Sequence, residues 1–387
     1  MNAWRPDAWR TTAPTIRAAV EIGSAKVACV MARVVDDGWQ VLGSGIARYP
    51  LTMTAWPCDI ALMAQTIEEA VDAARCGDVP HDVLAVVSHP QLTHTRVTAS
   101  IELAQEPVAV RARDVARLRA QALAQSLGLD QDALSVTVLG CSGNGFEEVP
   151  DPRGLTATRL RGTFHVVAMP VSLRRAVVRA CDHAGLEVGR FVYSLPAIAR
   201  AVVEPSAGPR VLVIDIGGAQ VDAGVFIEQR LIASTTLPWG GHTLAHAVAI
   251  DGRLTISQAS AASLEGFSSS HPCVRTILEE QLSIVRDGVA RMLEGQPKPD
   301  ALVLTGGGAL IDGVAEWFEQ QLGVSCRVGR SPRLSQHGEL WNQLALGAAV
   351  GALEMTAGSA TVPASTTPRG RFNRLLSTAH SILNDYF

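Results

Sequence analysis

The sequence predicts a duplicated α/β fold of two related lobes, with a small α+β subdomain inserted in the first. Three observations carry this. The heptapeptide Glu21-Ile-Gly-Ser-Ala-Lys-Val27 recurs without a gap as Asp215-Ile-Gly-Gly-Ala-Gln-Val221. Each copy follows a β-type apolar run, Ile16 to Val20 (broken by Arg17) and Val211 to Ile214. A third run, Ala301 to Leu304, enters Thr305-Gly-Gly-Gly-Ala309. A strand ending in acid-x-Gly-small turns sharply and presents backbone N–H groups to an anion. Two such turns far apart in one chain predict two lobes facing each other across a phosphate.

Residues 16 to 88 read as α/β. Ala19 to Ala32 and Trp39 to Ala47 form a strand pair turned at Asp36-Asp37-Gly38. Ile60 to Ala74 is a helix stopped by Cys76-Gly77, and Val83 to Val87 a buried strand. Residues 89 to 162 change texture: strand-like Thr93 to Leu103, a helix from Ala112 to Ser126, then strands at Ser135 to Leu139 and Ala157 to Val167. Cys141 to Gly154 reads as a loop. Helices follow at Val171 to Ala184 and Leu195 to Val203. In the second half, Leu231 to Leu237 is a strand, and 243 to 299 is mostly helical, notably Val274 to Leu293. Helices from Asp312 to Leu322 and Trp341 to Met355 close that lobe. The division is then 15–88 with 163–205 for the first lobe, 89–162 for the insertion, 208–242 with 300–356 for the second lobe and 243–299 for its helical subdomain. Residues 357–368, rich in Ala, Ser, Thr and Pro, make a flexible linker before a last helix at 369–387.

The chain has 387 residues, 47% hydrophobic and 18% charged, enough apolar matter for more than one core. Its 33 basic and 37 acidic residues leave a net charge of −4, which argues against nucleic acid as a partner. Seven cysteines include no Cys-x-x-Cys pair, so reduced thiols are expected rather than a zinc site. No signal peptide and no spanning segment are read, which places the protein on the cytoplasmic side.

In the first turn, Gly23 lets backbone approach a phosphate, Ser24 offers a hydroxyl, Lys26 supplies charge, and Glu21 orients water or a magnesium ion. Gly217 and Gly218 repeat this in the second turn, with Asp215 as its acid. Gly306, Gly307 and Gly308 lie flat against a nucleotide. A tight hairpin turn is the plain alternative for one copy alone; the second copy and the third turn shift the reading to nucleotide binding. No P-loop sequence and no Ser/His/Asp arrangement occurs. The ten histidines read as surface or satisfied core groups, and no catalytic residue is assigned.

The last helix carries Phe372, Leu375, Leu376, Ala379, Ile382, Leu383 and Tyr386 on one stripe of period 3.6, with Phe387 at the end. Arg369, Arg371 and Arg374 cluster at its start. Arg371, Phe372, Arg374, Leu375, Leu376, Ile382, Leu383, Tyr386 and Phe387 are therefore expected to bind an anionic membrane surface. A packed or partner-binding helix shows the same period, but a dozen flexible residues ahead of it argue against packing. One copy binds weakly, so firm attachment needs several copies together.

These motifs resemble the actin/Hsp70/sugar-kinase superfamily, and within it the FtsA family of bacterial cell-division proteins. Asp151-Pro-Arg-Gly-Leu155, Gly185-Leu186, Ala301 to Gly313 and Leu344 to Gly351 fit that family's pattern, and the tethered helix is its most particular feature. The resemblance implies a duplicated actin-like (ribonuclease H-like) two-lobed fold that binds ATP and Mg2+ and is at most a weak ATPase. It implies a peripheral protein of the inner membrane at the division septum. Its partners would be the FtsZ C-terminal tail, received by 243–299, anionic lipid, later divisome proteins, and further copies of itself in filaments. The second turn departs from the family's Asp-x-Gly-Gly-Gly-Thr-x-Asp at Ala219 and Gln220. Ser260 and Ser263 stand where the family has a nucleoside-holding Glu and Lys, and Gly266 to Pro272 replaces strands. These departures weaken the expectation of ATP and of the FtsZ site, and raise a degenerate member that keeps the adaptor role alone. A PilM-like pilus-assembly scaffold and a small-molecule kinase share the turns; the tethered helix speaks against both.

Overall fold

The computed structural model describes residues 16–35, 38–50, 59–77, 79–335 and 339–357. The linker and terminal helix expected beyond 357 lie outside them, as do residues 1–15. In the first lobe, β1 (Ile16–Ile22), β2 (Lys26–Val35) and β3 (Gly38–Arg48) form an antiparallel meander, followed by α1 (Ile60–Ala74) and β4 (Asp82–Val87). The expected single strand from Ala19 to Ala32 is thus two. Gly23 N–H donates to Lys26 O at 3.0 Å, and the turn folds β2 back so that Ile22 faces Val27.

The insertion holds β5 (Thr93–Glu102), β6 (Val108–Ala109), α2 (Ala112–Ser126), β7 (Gln131–Gly143), β8 (Phe146–Val149), β9 (Thr156–Ala157) and β10 (Arg159–Pro170). Its main sheet has the order β5-β10-β7-β8, with α2 against it and Leu118, Leu160 and Phe164 in its core. The segment Cys141 to Gly154, read as loop, contains the β7–β8 hairpin turned at Asn144-Gly145. Strand β10 runs unbroken to Pro170 and pairs with β5 from Arg159 to Ala168. The subdomain end expected at 162 therefore lies inside a strand.

The first lobe resumes with α3 (Val171–His183), β11 (Glu187–Tyr193) and α4 (Ser194–Val202). The second lobe follows with β12 (Arg210–Ile216), β13 (Val221–Ile227), β14 (Arg230–Leu237), α5 (Gly241–Gly252), α6 (Ile256–Leu264) and α7 (Pro272–Leu293). It ends with β15 (Ala301–Thr305), a 3-10 turn at Gly307–Leu310, α8 (Val314–Leu322), β16 (Cys326–Val328) and α9 (Leu340–Ala357).

The duplication is explicit in the sheets. One has the order β3-β2-β1-β4-β11, the other β14-β13-β12-β15-β16. In both, the first three strands are antiparallel and the last two add in parallel. Parallel strands are buried on both faces, which is why Val83 to Val87 and Leu302 to Leu304 are continuous apolar runs with almost no exposure. The lobes are joined through α9, whose Leu346, Ala349, Val350 and Leu353 enter the core of the first lobe.

Candidate functional site

The two repeated turns end β1 and β12 and meet face to face. Each closes on itself: Gly23 N–H donates to Lys26 O, and Gly217 N–H donates to Gln220 O at 2.9 Å. Between them, the Ala219 N–H donates to Ser24 Oγ at 2.9 Å. Ser24 is buried, and a Cβ placed on Gly218 would lie 2.9 Å from Ala25 Cβ. Lys26 Nζ does not reach across; it pairs with Glu21 Oε2 at 2.8 Å in its own turn. The Gln220 side chain is buried, and its Oε1 has no hydrogen-bond partner among the described residues.

The third turn presses on the second. Gly306 has φ +79°, a left-handed conformation that other residues adopt only with strain. A Cβ there would sit 2.3 Å from Asp215 Oδ1 and 2.5 Å from Ile216 O. Gly308 abuts the Ile216 side chain, while Gly307 faces open space. The expected nucleotide-binding residues Gly23, Ser24, Lys26, Gly217, Gly218, Gly306, Gly307 and Gly308 are therefore gathered in one place. Glu21 and Asp215 lie beside them, the two acids read as metal ligands. Among the described residues, no group of three or more His, Cys, Asp or Glu side chains is placed to hold a metal ion.

Asp215 and Asp222 face each other across the β12–β13 ladder. Burial, the Asp222 charge and the Glu21 charge raise the Asp215 carboxyl far above the usual range, with Lys26 pulling it back. Burial also raises Asp222, opposed by the hydroxyls bound to it. Ser88 Oγ, just after β4, donates to Asp222 Oδ2 at 2.5 Å, and Thr236 Oγ1 on β14 donates to Oδ1 at 2.5 Å. Asp222 thus ties the first lobe to the second.

Beside it lies a histidine pair that the sequence does not reveal. His94 on β5 shares hydrogen bonds with Ser234 Oγ at 2.8 Å and Thr236 Oγ1 at 3.0 Å, and His165 Nε2 on β10 reaches the same Ser234 at 2.8 Å. The two rings stack at 6.3 Å, and Tyr193 tilts against His94 at the same distance. Burial lowers both imidazoles to about 4, helped by the neighbouring His165 for His94 and by Arg96 for His165. Arg230 on β14 adds a hydrogen bond to Val138 O on β7. The register that pairs β5 with β10 brings residues 71 positions apart, 94 and 165, to one face. That register and the packing of β14 against β5 and β10, not any spacing in the chain, gather Ser88, His94, His165, Ser234 and Thr236 into one cluster.

A second concave site lies between α7 and α8 of the second lobe. A groove of about 580 Å³ is lined by Phe267, Arg275, Glu279, Arg286, Glu316 and Trp317 on and near α7 and α8. Ser263, read at a nucleoside position, instead donates to Ala259 O at 2.7 Å within α6.

Paired β-turns between two sheets of one topology, with a glycine turn behind the second, define an actin-like fold. The solved PilM-PilN type IV pilus biogenesis complex shows the same fold, with a TM-score of 0.67 at 17% identity, covering 90% of this chain and 99% of that one. The ethanolamine utilization protein EutJ of Carboxydothermus hydrogenoformans matches at a TM-score of 0.52 and 14% identity, over 88% of this chain and 89% of the other. Residues 88–168 match the family model of the SHS2 domain inserted in FtsA. The chain is 26% identical over 356 residues to cell division protein FtsA of Agrobacterium fabrum, covering 80% of each. It is 22% identical over 343 residues to that of Enterococcus hirae, covering 80% of this chain and 77% of that protein. The chain is a divergent relative of the FtsA family, and this relationship supports a role in cell division. No helix among the described residues is long and apolar enough to cross a membrane.

Proposed function

We propose that the protein is a division adaptor that anchors FtsZ filaments to the cytoplasmic face of the inner membrane and helps recruit later divisome proteins. The match of residues 88–168 to the FtsA-type inserted domain carries this reading. The apolar stripe from Phe372 to Tyr386, with Arg369, Arg371 and Arg374 at its start, is the anchor in this reading. Self-association into filaments completes it, because many weak anchors on one polymer hold firmly where one does not.

Co-sedimentation with anionic liposomes, with and without FtsZ, tests the reading. The full chain is expected to pellet and carry FtsZ down, and a chain ending at Pro368 to leave both in solution. A truncated chain that still pellets overturns the anchor; a full chain that pellets without FtsZ overturns the partner.

The α7–α8 groove is the seat we assign to the FtsZ tail. Trp317 and Phe267 offer apolar surface to an amphipathic peptide, and Arg275 and Arg286, paired with Glu279 and Asp287 in the free chain, would exchange those partners for its carboxylates. Central aromatic anchors carry much of an interface's energy, about 2 kcal/mol or more each. Trp317→Ala is therefore expected to weaken capture of an FtsZ-tail peptide roughly thirtyfold in a fluorescence-anisotropy titration. Unchanged affinity would move the peptide elsewhere.

The likeness to the PilM-PilN complex supports a second reading, a pilus-assembly scaffold that takes a PilN-type peptide. The same titration with the two peptides side by side separates the readings.

A further inference from the structure

We infer that this chain closes its cleft with its own groups, so that the atoms an actin-like protein would offer to a nucleotide are paired with each other. On the phosphate side, the turns are one hydrogen bond apart: Ala219 N–H to Ser24 Oγ, 2.9 Å. An anion bridged between two such groups needs two hydrogen-bond lengths, about 5 to 6 Å. Ala25 fills the adjoining space against Gly218. Lys26 is held by Glu21. The first N–H groups of α5 do not face an anion either: Gly241 N–H donates to Gly217 O at 3.0 Å and His242 N–H to Gly218 O at 2.8 Å.

The side expected to hold the nucleoside is closed in the same way. Asp312 N–H donates to Leu264 O at 3.2 Å, and Phe267 N–H donates to Asp312 O at 3.1 Å, so the end of α6 is laced to the segment after the third turn. The Phe267 ring packs on Gly313, where a Cβ would lie 2.8 Å from it. Gly306 and Gly308 are needed for contact with Asp215 and Ile216, which accounts for two of the three glycines without a ligand. At the base, Ser88 binds Asp222 from the first lobe and links the lobes, while Thr236 on the neighbouring strand holds the other Asp222 oxygen in place. These residues do not fit ATP and Mg2+. The lobes are held shut by a built-in clasp, and the protein is a scaffold whose closed state does not depend on nucleotide.

The full chain, prepared free of nucleotide and with neither FtsZ nor lipid present, tests this. Mg-ATP and Mg-ADP are titrated into the millimolar range while thermal unfolding and amide exchange over residues 216–220 are followed. The expected result is an unchanged Tm, with the Ala219 amide already protected in the free chain. In Ser24→Ala that amide loses its acceptor and is expected to exchange about tenfold faster or more. A ligand present at a hundred times its Kd raises Tm by several degrees, so such a rise overturns the inference. An unprotected Ala219 amide, or unchanged exchange in Ser24→Ala, overturns it as well. If Ser24→Ala does not fold, the titration of the native chain decides alone. Because no division partner takes part, a negative result here leaves the adaptor reading to its own sedimentation test.

Discussion

Gly351→Ala is expected to lower the Tm by about 4 °C, a cost of roughly 3 kcal/mol at the upper end of core overpacking. The reason is the closest approach between helices in the molecule's described glycine contacts. A Cβ on Gly351 of α9 would lie 1.7 Å from Ala197 O and 2.5 Å from Ala197 C of α4. Those are backbone atoms, which cannot rotate away as a side chain does, so the helices themselves must part. Parting them pulls Leu346, Ala349, Val350 and Leu353 from the first-lobe core, where each is at most 2% exposed. Gly347, one turn earlier in the same helix, is the control. Its Cβ would meet only Val202 Cγ1, at 4.0 Å. Gly347→Ala is expected to stabilise by about 0.5–1 kcal/mol through helix propensity alone. Thermal unfolding of both variants checks the pair, and equal shifts would show that α4 and α9 do not cross this closely in solution.

The same crossing shows how far the sequence could be read. The repeated heptapeptide announced both sheets, because a strand that must end in a tight turn leaves a local signature. Helices with one apolar stripe, such as Ile60 to Ala74 and Ala112 to Ser126, were legible to the residue. The β7–β8 hairpin was also written locally, in Asn144-Gly145, a dipeptide suited to a two-residue turn with positive φ; Gly145 has φ +83°. The acidic, glycine-rich setting obscured it. What was not legible is whatever depends on approach between distant segments. Ser24 reads as a free hydroxyl until Ala219 is placed against it. Gly351 is only the end of a family-like stretch, Leu344 to Gly351, until Ala197 is placed beneath it. Scattered histidines read only as surface or satisfied core groups, and which of them share partners appears when β5 and β10 pair in register.

That histidine pair sets the last expectation, a pH dependence with two opposing limbs. His94 and His165 titrate near 6.5 when unfolded but at about 4 when folded, held down first by burial and then by each other and Arg96. Between those values the unfolded chain binds more protons, so stability is full above about pH 6.5 and falls as pH drops towards 4. From pH 7 to pH 5 the loss is about 2 kcal/mol for each histidine. Asp215 and Asp222 act in the other sense. Their folded carboxyls are raised above the unfolded range, so the folded chain binds more protons and stability falls as pH rises through that window. In the native chain the limbs offset each other; variants that remove one limb at a time separate them. Asp222→Asn removes part of the carboxyl limb and is expected to lose more Tm than the native chain between pH 7 and pH 5. His94→Gln with His165→Gln removes the histidine limb, keeps polar partners for Ser234 and Thr236, and is expected to gain Tm over the same change. Parallel Tm curves for all three proteins would mean that the hub does not titrate. Divergence in the stated directions would mean that the contact between the inserted subdomain and the second lobe loosens in acid, through residues on β5, β10, β13 and β14.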